Sequence, residues 1–110
     1  MTCKSVTCRA LRSRVERAFT QWRPILGLES WGITLLYDER EHLATAEAKP
    51  AYEEATLHFN LPAMKRELPP TYAAVEEITV HEMVHVLNWR GSERTTSRIT
   101  RALLRARDVL

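Results

Sequence analysis

Between Ala73 and Trp89 the chain carries a helical run that is apolar on nearly every side, with Val80, Val84, Val86, Leu87 and Trp89 spread around it. Such a helix has to be interior, so the remaining elements must be arranged to cover it. Set into the run are His81, Glu82 and His85. At 3.6 residues per turn, positions four apart lie one above the other, so both imidazoles leave the same face. Burying a His–Glu–His group without partners would cost several kcal/mol per charge, and a cation satisfies all three. Two imidazoles at this spacing can hold one zinc ion at about 2.0–2.1 Å. Glu82 projects beside them, within reach of a proton on metal-bound water. A helix that carries two histidines by accident is the plain alternative, and the buried setting weighs against it.

The rest of the chain is built to enclose that helix. At 110 residues it is long enough for one core and too short for two, which predicts a single domain over 1–110. A content of 45% hydrophobic and 27% charged residues excludes a disordered tail. No apolar run approaches the roughly 20 residues of a membrane span. Met1 to Arg14 is basic without an apolar signal core, so the expected location is the cytoplasm, of a host cell if the chain is phage-encoded. Cys3 and Cys8 match neither a zinc-ribbon nor a thioredoxin spacing. Five apart on a helix they would point to different sides, so free thiols are expected over a bridge at a frayed terminus.

Read in order, the apolar residues from Val6 to about Leu26 recur at spacings of three and four, which predicts an amphipathic helix. Pro24 loosens its last turn and Gly27 stops it. Trp31, Ile33, Leu35 and Tyr37 alternate with Gly32, Thr34 and Leu36 as in a half-buried strand. Leu43 to Lys49 reads as a weak Ala-rich strand or equally a short helix. Glu54 to Leu61 alternates again until Pro62 ends it, and Ala63 to Leu68 reads as a helical turn. Thr71 is placed to cap the motif helix, with Glu76 and Glu77 near its positive end. That helix is expected to run to Asn88–Arg90 and close on a left-handed Gly91. A last helix, Ser92 to about Arg107, sets Ile99, Ala102, Leu103 and Ala106 on one side and Arg94, Arg98, Arg101 and Arg105 on another. The predicted class is α+β: an N-terminal helix, a small mostly antiparallel sheet of about three strands, the motif helix and a C-terminal helix.

A catalytic zinc has three protein ligands and an open position. Glu93, His58, His42 and Asp108 are candidates for the third. Glu93 is favoured because a short turn returns it towards the motif helix, provided that helix ends near Asn88.

With these residues stated, the chain resembles the zincin metallopeptidases, in particular the gluzincin branch and its minimal single-domain members encoded by phages and prophages. The resemblance rests on His81-Glu82-Met83-Val84-His85 followed by a Glu on the next helix; it extends over about 54–107, and the first 50 residues match only in element order. The interval to Glu93 is shorter than in the large gluzincins. The resemblance implies a zinc metallopeptidase with His81, His85 and Glu93 as ligands, Glu82 as general base, and a peptide or protein substrate laid along an edge strand formed by Glu54–Leu61. Tyr72, Tyr52 and His58 are the candidates for a second oxyanion donor.

Charge suggests a rival reading. Residues 1–28 carry six Lys or Arg against one Glu, and 88–110 six Arg against two acids, whereas 29–87 carry eleven acids against four bases. Basic ends suit a non-catalytic zinc-containing module that binds nucleic acid or protein through Arg-rich helices. Two solvated helix faces are the plainer explanation and the favoured one. A structural zinc would need a fourth protein ligand, and no Cys stands near the motif.

Overall fold

A computed structural model describes residues 5–109, apart from the side chain of Val109. Ser5 caps the first helix, α1 (Val6–Ile25), its hydroxyl accepting from the Cys8 N–H at 3.1 Å. The buried face of α1 is Cys8, Leu11, Val15, Ala18 and Trp22, the stripe that the periodicity predicts. Gly27 turns the chain at a φ of 69°. Cys8 is disulfide-bonded, which corrects the expectation of free thiols for that residue. The expectation rested on helical spacing, whereas Cys8 lies in the first turn of α1, just after the Ser5 cap. Cys3 lies outside the described residues.

Three strands follow: β1 (Gly32–Tyr37), β2 (Ala44–Lys49) and β3 (Glu54–Phe59). They lie in the order β1-β3-β2, with β1 parallel and β2 antiparallel to β3. The sheet is therefore mixed, where a mostly antiparallel one is predicted. The cause is the connection over residues 38–43, which crosses the end of β3 instead of turning back beside β1. Backbone bonds hold it there, from Asp38 N–H to the Phe59 carbonyl at 3.2 Å and from Asn60 N–H to the Leu43 carbonyl at 2.9 Å. The Asn60 side-chain amide donates to the Arg40 carbonyl at 2.7 Å. On the sheet's outer face, Arg40 pairs with Glu47 at 2.8 Å, and His58 Nδ1 lies 2.9 Å from the Asp38 carboxylate.

This order corrects a functional expectation as well. Glu54–Leu61 does not supply an edge strand, because β3 is central and β1 and β2 are the edges. The strand also stops at Phe59. Asn60 caps α2 (Leu61–Glu67), accepting from Ala63 N–H at 3.1 Å, so Leu61 is already helical. Pro62 fits in that first turn, where N–H groups have no helical acceptor.

Ala55, Leu57 and Phe59 point from β3 into one core with Val15, Trp22, Met64, Val75, Val80 and Met83. The motif helix α3 (Tyr72–Leu87) crosses that core, capped by Thr71 accepting from Ala74 N–H at 3.2 Å. It ends at Leu87, not Asn88–Arg90, since Asn88 leaves helical geometry at φ −113° and ψ 45°. Gly91 is not left-handed. Its lack of a side chain matters for space, because a Cβ there would collide with the Asn88 amide. The apolar surround is incomplete at this end, where Leu87 and Trp89 are about half exposed.

Ser92 caps α4 (Glu93–Val109), accepting from Thr95 N–H at 3.1 Å. The inner face of α4 is Thr96, Thr100, Leu103, Leu104 and Arg107, while Ile99, Ala102 and Ala106 are exposed. Apolar character places Leu103 correctly but misses the rest of this face, because two threonines satisfy their own hydroxyls. Thr100, for instance, donates to the Thr96 carbonyl at 2.8 Å, which lets a polar residue be buried without loss. Arg94, Arg98, Arg101 and Arg105 are all exposed, as expected.

The three long helices meet at Glu76, which is 2% exposed. Its carboxylate accepts from the Trp22 indole N–H at 2.8 Å and from the Arg107 guanidinium. Arg107 also stacks over the Trp22 ring. No helix among the described residues is long and apolar enough to cross a membrane.

Candidate metal centre

The early end of α3 decides whether Glu93 can reach the histidines. A helix continued to Arg90 would carry the chain about 7.5 Å past His85 at 1.5 Å per residue. Stopping at Leu87 and turning at Asn88–Ser92 instead sets Glu93 at the start of α4, facing back. Its Oε2 lies 2.8 Å from His81 Nε2 and its Oε1 2.7 Å from His85 Nε2. One carboxylate thus bridges both rings, whose centroids are 4.7 Å apart in an edge-to-face arrangement. The three residues present ligand atoms that all fall within 4.8 Å of one another, a group that can hold a metal ion. Two nitrogens and a carboxylate oxygen are the donor set that borderline cations such as zinc accept.

A single hydroxyl supports the arrangement from behind. Thr96 Oγ1 lies 3.3 Å from His85 Nδ1, and Thr96 is fully buried. A hydroxyl both donates and accepts, so it suits either tautomer of this ring. With the Nε2 proton donated to Glu93, Nδ1 accepts from Thr96. With Nε2 committed to a cation, Nδ1–H donates to it, which fixes the ring as a ligand.

Glu82 is not part of the bridge. It is 5% exposed on the wall of the groove, and burial, with the Glu93 charge second, pushes its carboxyl up to about 8 from 4.5. Glu93 goes the other way. Partial burial alone would raise its pKa, but the hydrogen bonds and charges of His85 and His81 outweigh that and hold it below the usual carboxylate value. Two carboxyls side by side therefore have opposite tendencies, one poised to exchange a proton and one held ionised.

The other candidate ligands are elsewhere. His58 is on the outer face of the sheet between Asp38 and Glu47. Asp108 pairs with Arg107 near the far end of α4. His42 lines the same groove as the His81–His85–Glu93 group without belonging to that group. Of the proposed oxyanion donors, Tyr72 donates to Gln21 on α1 and Tyr52 is exposed beyond β2. Neither they nor His58 lines the groove, whereas His42 does.

That groove, of about 900 Å³, runs between β2 and the face of α3 that carries the histidines. Its β2 wall is Ala44, Thr45 and Ala46, so the edge beside the site is β2, the segment that reads from sequence as strand or helix. Thr96 and the groove residues Leu43, Leu68, Glu77 and Ile78 escape sequence reading. Only the i, i+4, i+8 series Ala74, Ile78, Glu82, interleaved with Glu77, His81 and His85, hints that one stripe of α3 stays uncovered. Comparisons with protein-family models, with curated proteins and with solved structures give no match for this chain.

Proposed function

We propose that this chain is a zinc-dependent metallopeptidase of the zincin type that hydrolyses peptide bonds in its groove. One observation carries the reading: a Glu93 carboxylate bridging His81 and His85, with the buried Glu82 carboxyl adjacent on the same groove wall. A structural site would need four closed ligands and no neighbouring base. When bound there, zinc would supply Lewis acidity, lowering the pKa of its water to about 7 and polarising the substrate carbonyl. Glu82 takes the proton of the attacking water and returns it to the departing amine, a double use suited to a carboxyl raised towards neutrality. On the opposing wall His42 and Thr45 carry the side-chain donors nearest in kind to what a developing negative oxygen needs. The exposed arginines of α4 favour a polyanion-binding module as the second reading, but that reading gives Glu82 no role.

Glu93→Ala tests the site directly. Loss of an indirect partner behind a metal ligand costs about 10–100-fold in affinity, so loss of a ligand should cost at least as much. The fold should survive, because the Glu93 side chain is 73% exposed. Zinc titration of wild type and variant reads this, with circular dichroism as the control for folding. Equal zinc affinity in the two proteins would remove Glu93 from the site and the proposal with it.

A further inference from the structure

The groove is asymmetric about the histidines, and its lining points to what fills it. Upstream of His81 the α3 stripe continues through Ile78, Glu77 and Ala74, faced by Leu43 and Leu68. At 1.5 Å per residue, Glu77 stands about 6 Å and Ala74 about 10 Å from His81 along the helix. An extended chain advances about 3.3 Å per residue, so these distances correspond to roughly two and three residues of bound peptide. Most of this wall is aliphatic. Glu77 is the exception: exposed, lining the groove, and without an ion pair among the described residues.

Resting on the peptidase reading above, we propose that the groove selects an extended peptide with aliphatic residues next to the cleaved bond and a positive group about two residues from it, held by Glu77. The positive group is a Lys or Arg side chain or a free α-amino group, since either presents a cationic nitrogen to the carboxylate. Leu43, Leu68 and Ile78 supply the apolar contact, and the small Ala74, Ala44 and Ala46 leave room for bulky side chains. Glu77 acts through charge at an exposed position, so its contribution should fade as salt rises.

The test is binding, which does not depend on turnover. Fluorescent seven-residue peptides of Leu and Ala carry Lys, norleucine or Glu at each position in turn, with free or acetylated N-termini. Their affinities are read by anisotropy against Glu82→Gln protein loaded with zinc, and again in chelator. Lys peptides should bind up to about fivefold tighter than norleucine peptides in one register, the upper range for an exposed ion pair. Glu77→Lys should reverse the order in favour of the Glu peptides. A preference confined to free N-termini identifies the α-amine as the positive group, and one that survives acetylation identifies the side chain. Equal affinities in every register, or an unchanged order in Glu77→Lys, would overturn the assignment. Charge-selective binding by a wild-type protein that cleaves none of these peptides would instead count against the peptidase reading and leave this one standing.

Discussion

Glu82→Gln is expected to keep both fold and zinc while lowering peptide hydrolysis about 10²–10⁴-fold, the usual contribution of a positioned acid–base group. The same substitution has a second effect, visible in chelator. The folded Glu82 carboxyl holds its proton up to about 8, whereas its unperturbed value is 4.5. Below the lower value both states are protonated and no stability difference arises. Through the window between the two, the folded state binds more protons than the unfolded chain, so stability falls as pH rises and levels off above the folded pKa. Gln cannot ionise and escapes this loss. Metal-free wild type and variant should therefore show similar urea midpoints near about pH 5 and diverge by about pH 8.5, with the variant the more stable. A variant that cleaves as fast as wild type would refute the general-base role. Matching midpoints at both pH values would show that Glu82 is not desolvated as described.

Glu76→Ala should be strongly destabilising although it lies outside the site. It strips the acceptor from the Trp22 indole and leaves the Arg107 guanidinium without its buried partner. Breaking one side of a buried ion pair costs about 3–5 kcal/mol. The low end, about 3 kcal/mol, applies here, because the Arg107 side chain is 35% exposed and regains some hydration. For a domain of this size that is a fall of roughly 10–20 °C in Tm. Glu76→Gln, which keeps an acceptor for the indole, should lose clearly less. If Ala and Gln melt together within a degree or two of wild type, the junction of the three helices does not depend on this carboxylate.

What sequence reveals here depends on whether the signal is local. The caps at Thr71 and the stop at Gly27, the α1 stripe, and the His81–His85 pair are all written within a few residues. Periodicity and capping chemistry read them correctly. Glu93 is also recognisable, through the short turn that returns it towards the motif helix and the requirement for an early helix end, which Asn88 supplies. The strand order is a different matter. Nothing in β1, β2 or β3 states that residues 38–43 cross the end of β3, because that path is fixed by bonds between Asp38, Arg40, Leu43 and a distant Phe59–Asn60. The identity of the edge strand beside the site was lost with it. The inner face of α4 failed for a related reason. Hydropathy ranks Ile99 above Thr96, yet Thr96 and Thr100 are the buried pair.

That polar inner face gives α4 an unusual attachment. Its middle offers α3 two threonines and two half-buried leucines, while its ends are fastened by polar side chains: Glu93 on the histidines at one end, Arg107 on Glu76 at the other. With few apolar contacts of its own, a helix fastened this way is the one that local opening frees first. A cation held by His81, His85 and Glu93 would stabilise α4 by the same free energy that the ordering of α4 would lend to its binding. Amide hydrogens of α4 should exchange ahead of those of α3 in chelator and slow markedly once metal is added, with α1 nearly indifferent. The supply of metal would then set how much of the chain is folded at its C-terminal end.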